Sequence, residues 1–435
     1  MRRREFLSWA GRSWLTALVG SACAVTGPGS ARSEDSSQTV VYVPGYKPRA
    51  ASYQGQSLLR HPRLNKAVPR GYDGPVTMLT RVAGPEEPLR RALFPIRGHA
   101  VSVRGGVGFF NSMNRDNMLS FDPESLEMIS LVSPHGGDGW VGGGHGAFTA
   151  DGRHLLATER RRYAPFSGRP SDHFGMITVR DPKSLKVLAT FSCHGIAPHE
   201  IGVMADAKHV AVANYGSTQP PGVTSKDTLR HMVEPCVTIL ELESGRLVHK
   251  IHAPDVKNEI RHLAAHSLRR TMVIQARVGA TGDDLEYLRE NQEIYAADFT
   301  ARPNTVYLPA PVLRLAAGGN ATPRALPISA RDPLLMRHGL SIVYDPAFDE
   351  FIATFPTPHC FMVFDGANGA IKRIVRAVAL GLAYPSGLAL HPDGQHYVVT
   401  GSWRGLYTFR RGSHDLNRQA TSNPLFLGHS HIVVA

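Results

Sequence analysis

An all-β propeller of seven blades is the fold this sequence predicts, with six blades as the alternative. Three observations predict it. Short β-branched runs are punctuated throughout by 42 Gly and 31 Pro, and long amphipathic helical patterns are scarce. A unit of three to four short strands recurs six times between Arg97 and Thr400. Strand-like segments at 39–43, 77–82 and 432–434 stand outside those copies and suit a further blade shared by the two termini. Such a unit cannot cover its own apolar faces, whereas a closed ring of them can.

The chain opens Arg2-Arg3-Arg4-Glu5-Phe6-Leu7, a twin arginine followed by Phe-Leu. An apolar stretch from Trp9 to Ala24, broken by Gly11 and Arg12, comes next. This is the pattern of a twin-arginine (Tat) export signal over residues 1–24, too short and interrupted for the ~20 apolar residues of a membrane-spanning helix. Ala22-Cys23-Ala24 offers a cleavage site after Ala24. Lipid anchoring at Cys23 is the minor alternative, because Gly20 stands where a lipobox needs a larger aliphatic residue. The expected location is the periplasm, with no transmembrane segment. Tat export carries folded proteins, which suits a chain that takes up metal before it leaves the cytoplasm. Residues 25–38, rich in Ser, Gly and charge, read as a disordered lead-in, and residues 39–435 as a single propeller domain.

Removing the signal takes away four Arg and one Glu, so the formal charge falls from +12 to +9. A nucleic-acid partner is not expected, since Arg160-Arg161-Arg162 is the one dense basic run. Cys193, Cys236 and Cys360 remain; they allow one bridge, form no disulfide scaffold and lack the paired spacing of a zinc site.

In the first copy Arg97-Gly98-His99 leads into strands at 100–103, 109–111 and 118–121. Gly144-His145-Gly146 opens the second, with strands at 147–149, 155–159 and 176–179, and Pro198-His199-Glu200 the third, with 201–204, 210–214 and 237–242. Arg261-His262, Arg337-His338-Gly339 and Tyr384-Pro385-Ser386-Gly387 open the last three. The stretch 281–333 reads as insertions in the fourth copy, with a short helix at 283–292.

Five of the six copies therefore begin their first strand with histidine: His99, His145, His199, His262 and His338. The first strand of a propeller blade lines the axis. Because the second strand is antiparallel to it, the residues ending that strand, Asn111, Glu159, Asn214, Gln275, Thr354 and Thr400, are expected at the same channel mouth. Neutral imidazole is the commonest transition-metal ligand, and carboxylates beside it lean toward iron or zinc. The candidate metal set is His99, His145, His199 and His262, with Glu159 and Glu200 as carboxylate ligands or as groups orienting the imidazoles. Iron, copper and zinc are not distinguished. Framework histidines that cap blades without any metal remain the alternative.

His194, His359 with Cys360, and His429 with His431 read singly as surface or turn residues. Gly142-Gly143-Gly144 precedes a strand and reads as a tight turn, not a phosphate loop. No Gly-x-Ser-x-Gly elbow and no Cys-x-x-Cys-His haem attachment site occurs.

Several blocks resemble a family of exported bacterial propellers classed only as a domain of unknown function. They are Arg97-Gly98-His99, Gly144 to Gly152 continuing to Thr158-Glu159, His194 to Glu200, Ala213-Asn214 and Ile260 to Ala264. Members are often encoded beside imelysin-like and di-haem-oxidoreductase-like proteins in iron-linked gene clusters. The resemblance implies a periplasmic accessory role in iron or metal handling, with periplasmic iron-handling or redox proteins as partners; it implies no established reaction. The sequence departs from the family pattern at Asn111-Ser112-Met113-Asn114-Arg115 and at Met232-Val233-Glu234-Pro235. Two further functions stand beside the metal-binding one: a metal-assisted hydrolase of lactonase type with Glu159 as base, and an interaction scaffold without metal.

Overall fold

Apolar side chains that alternate along short strands force the sheets to stack face to face, and they do so here seven times around an axis. The computed structural model describes residues 39–45, 52–53, 56–57, 67–69, 72–83, 89–115, 117–223, 230–278, 282–294, 306–316, 323–402, 404–425 and 431–435. The predicted export signal and lead-in, and His429, lie outside them.

Blades 2, 3 and 4 begin with the inner strands Gly98–Arg104, Trp140–Phe148 and Pro198–Val203, and each runs outward through three antiparallel neighbours. Blades 5, 6 and 7 do the same from Glu259–Ser267, Ile342–Asp345 and Pro385–Leu390. Blade 1 is the closure. Its inner strand, Val433–Val434, comes from the end of the chain and pairs with Val41–Gly45 from the beginning, followed by Thr77–Val82 and Arg90–Phe94. The seventh blade shared by the termini is thus present, and the six-bladed alternative is excluded.

Each junction between neighbouring blades has its own apolar cluster. Phe110 and Phe121 of blade 2 pack on Leu79 and Phe94 of blade 1, and Phe109 on Leu155 of blade 3. Similar clusters join blades 3 and 4, 4 and 5, 5 and 6, and 6 and 7. The last, Val41, Val43 and Ile432 on Val398 and Leu406, seals blade 7 to blade 1. Outer strands such as Met128–Val132 and Ile371–Arg376 are largely exposed.

The predicted insertion after the second strand of blade 5 carries the helix Gly282–Glu290. Among the described residues no helix is long and apolar enough to cross a membrane. Cys193, Cys236 and Cys360 are buried free thiols, and burial pushes Cys193 and Cys360 up to about 12, so neither is a ready nucleophile.

Candidate metal centre

Four blades deliver histidines to the axis by the same local device. The pairing of inner and second strand shifts between Gly98 and Ala100 in blade 2, Gly142 and Gly146 in blade 3, Pro198 and Ile201 in blade 4, and Ile260 and His262 in blade 5. A bulge adds a residue to one strand and re-aims the side chains beside it. Here it turns His99, His145, His199 and His262 inward at one level of the channel.

Gly142-Gly143-Gly144 is part of this device. It lies within the strand Trp140–Phe148 and forms the bulge, where a tight turn was expected. Gly144 holds φ +113°, and a Cβ there would lie 2.7 Å from Cε1 of His199. Only glycine combines that backbone with that approach. The neighbouring Gly143 carbonyl is hydrogen-bonded to Nδ1 of His199, leaving Nε2 directed into the cluster.

The resulting group contains a fifth imidazole. His431, just ahead of the closing strand, pairs in parallel with Ala100 and shares a 3.1 Å hydrogen bond with Ser341. His145 stands amid the other four, its ring centroid 5.1 Å from His99, 4.6 Å from His199, 5.3 Å from His262 and 4.6 Å from His431. All five are buried. Glu200 closes one side, accepting from the Leu263 N–H at 2.8 Å and lying 3.2 Å from Nδ1 of His262 and 3.6 Å from Nδ1 of His145. A cavity of about 550 Å³, lined by the inner strands of all seven blades, reaches His145, Glu200 and His431 along the axis.

The donors fit a metal ion. Three groups, His99/His262/His431, His99/His145/His199 and His145/Glu200/His262, each place their ligand atoms within 4.8 Å of one another. Nε2 of His99 and Nε2 of His199 are 3.2 Å apart, close to the roughly 3.3 Å between two nitrogens that share a tetrahedral zinc-sized ion. Nε2 of His145 is buried with no hydrogen-bond partner, a position that a native interior rarely leaves unfilled. Burial, reinforced by the neighbouring imidazoles, holds His145 and His199 well below the usual histidine range; His262 is lowered by burial and by Arg261. These rings are therefore neutral at pH 7, the form that binds metal.

Two candidates from the sequence lie elsewhere. Glu159 does not reach the histidines: its carboxylate is fully buried, accepts from Arg180 at 2.6 Å and from the backbone N–H of His135 at 2.8 Å, and is bridged by the Thr178 hydroxyl. Asn111 and Thr354, which end second strands, bond between blades and not at the channel mouth. Asn111 donates to the carbonyls of His145 and Thr158 in the next blade, and Thr354 to that of Ser386. His338 has a positive φ of 55° and stacks on Tyr307, with centroids 4.0 Å apart and planes at 4°, where it shares a hydrogen bond with Thr357. His99, His145, His199, His262 and Glu200 are brought together as expected.

Proton linkage makes a prediction for the metal-free protein. The three depressed histidines take up protons in the unfolded chain near 6.5 and resist them when folded, so their stabilisation is lost as pH falls below that value. Burial pushes the Glu200 carboxyl up to about 8 from 4.5, so its contribution is lost as pH rises between those values. Three sites against one give a melting temperature that climbs from pH 5 to about 6.5 and declines gently toward 8. Melting scans across that range in chelator check it.

No curated protein matches the sequence. Among solved structures, the periplasmic gluconolactonase of Pseudomonas aeruginosa is 13% identical, the match covering 91% of this chain and 99% of that one with a TM-score of 0.51. The hydrazine synthase of Kuenenia stuttgartiensis is 12% identical, covering 80% of this chain and 89% of that one with a TM-score of 0.47. At these identities the first likeness shows the propeller fold alone, and the second is too loose to add to it. The blocks around His99, His145, His199 and His262 fall within residues 94–431, which match the model of a protein family of unknown function, DUF1513, and the chain belongs to that family.

Proposed function

We propose that this chain is an exported, periplasmic accessory propeller that holds a transition-metal ion among its channel histidines and serves iron handling or a metal-bearing redox partner. The observation that carries the reading is the meeting of five buried imidazoles and one carboxylate in three overlapping ligand groups, with one ring nitrogen among them, Nε2 of His145, that has no partner of its own. His99, His145 and His262 each belong to two of the three ligand groups and are the expected core of the coordination shell. Predominantly imidazole donors with one carboxylate suit iron, zinc or copper more than magnesium or calcium. The twin-arginine sequence supports the periplasmic part, because folding before export lets the cytoplasm load the site.

Mass spectrometry of protein exported through its own signal, and purified without chelator or histidine tag, tests the reading. Near-stoichiometric iron, zinc or copper is expected in the parent, with at least a tenfold drop in His145→Ala (compare ~10–100-fold losses for groups that merely orient ligands). Metal-free protein that also takes up none of the three ions would remove it.

Metal-assisted hydrolysis is a second reading, favoured by the cavity of about 550 Å³ that reaches Glu200 and His145. It no longer has Glu159 as its base. Turnover of a lactone panel by metal-loaded protein selects it over the accessory role.

A further inference from the structure

Beside the histidines, on the side of blades 3, 4 and 5, lies a second cluster that the metal does not use. Its centre is Tyr215, whose ring packs against His199 at a tilt of 48°, with centroids 4.7 Å apart. Three guanidinium carbons surround that same ring: Arg160 at 5.1 Å, Arg230 at 5.1 Å and Arg261 at 5.5 Å. Tyr163 adds a second wall, 4.8 Å from Arg160 and 5.0 Å from Arg230.

One carboxylate serves this group. Glu259 accepts from Arg230, from Arg261 at 2.8 and 3.1 Å and from Ser217 at 3.1 Å. Burial alone would raise its carboxyl, but the two arginines outweigh burial and hold it down at about 2. Glu259 is fully engaged by Arg230, Arg261 and Ser217. Arg160 has no share in it: the residue is 0% exposed, and its Nε, Nη1 and Nη2 are all without a hydrogen-bond partner. The hydroxyl of Tyr163 is likewise buried and unpartnered.

Three guanidiniums against one carboxylate leave two positive charges in a buried place. An interior guanidinium with five idle N–H groups is among the costliest arrangements a protein can hold, unless an anion completes it. Planar guanidinium matches the oxygens of a carboxylate or phosphate in paired hydrogen bonds. We propose that Arg160, with Tyr163 and the edge of Arg230, forms a binding site for an oxyanion, the carboxylate or phosphate group of a small molecule. Arg230, whose side chain keeps 22% of its surface exposed, marks the side of entry. The buried member of the Arg160-Arg161-Arg162 run is thereby assigned to ligand recognition; Arg161 instead lies over Trp140 at 5.0 Å.

This site goes beyond the metal reading and does not depend on it. Calorimetric titration of the exported chain with succinate, and separately with inorganic phosphate, tests it and tells the two oxyanions apart. One-to-one binding of at least one probe is expected, weakened about tenfold or more in Arg160→Met and unchanged in Arg161→Met. His145→Ala should lose metal yet still bind the anion, which separates failure here from failure of the metal site. Arg160→Met without ligand is expected to melt no lower than the parent, because it removes a buried charge that has neither a carboxylate nor a hydrogen-bond acceptor; a purely structural arginine would melt lower. If that variant does not fold, Arg230→Met, which leaves Arg261 on Glu259, gives the binding reading alone from the entry side. No binding of either probe at millimolar concentration, or binding by the folded variant as tight as the parent's, overturns the proposal.

Discussion

Glu159→Gln is expected to destabilise the folded protein by about 3–5 kcal/mol, the usual cost of removing one partner of a buried ion pair. Arg180, 2% exposed, would keep its charge with only an amide oxygen and its remaining bonds to Thr178 and the Leu185 carbonyl. The amide's own N–H groups would also face the backbone N–H of His135 and Gly136, which now donate to the carboxylate. Metal content per folded molecule should not change, because Glu159 is tied to Arg180 and not to the imidazoles. Denaturant unfolding monitored in parallel with metal analysis separates the two effects. A stable variant that has lost its metal would return Glu159 to the site.

Truncation before His431 is expected to cost about as much again and to act on both stability and metal. The deleted segment includes the inner strand of blade 1. Val40 and Ala435 exchange two backbone hydrogen bonds at 2.8 and 2.9 Å, and Ile432 is buried against blade 7. Burial of one isoleucine and two half-buried valines, with the backbone bonds, contributes on the order of 5 kcal/mol. Whole domains have only ~5–15 kcal/mol to lose. The truncated chain should melt at far lower temperature, or without a sharp transition, and should bind less metal where it folds. A sharp transition at the parent's temperature would show that the ring closes without its last strand.

The blades were legible in the sequence because each strand run carries its own turn chemistry and repeats. Most of their histidines were legible for the same reason: five copies place His where the first strand was expected to begin, and four of the five converge. The bulges behind that convergence were not, since one extra residue in a strand leaves no periodic trace. Glu159 was misplaced through a correct register joined to the wrong face. Its strand is antiparallel to the inner one, but side chains of a second strand point between blades, where Arg180 awaits it. His338 failed because a left-handed residue turns it toward Tyr307 before the inner strand begins. His431 was missed because its strand lacks the hairpin that marks the other copies; its partner is nearly four hundred residues earlier. The visible signal was His431-Ile432-Val433-Val434, a histidine opening an apolar run as His262 does with Leu263-Ala264-Ala265.

The position of His431 also ties the candidate metal centre to chain synthesis. A ribosome makes this residue only after the strands bearing His99, His145, His199 and His262. A nascent or prematurely ended chain can assemble most of the imidazoles but not the full set, and it cannot fasten the strand that Val41 awaits. An ion held partly by His431 would bridge the seam where Val433–Val434 pairs with Val41–Gly45, so occupancy would report that the ring is closed. Binding to the closed ring alone adds stability in proportion to the logarithm of free metal over its dissociation constant. Loss of metal should accordingly loosen first the place where the strands Val41–Gly45 and Val433–Val434 meet.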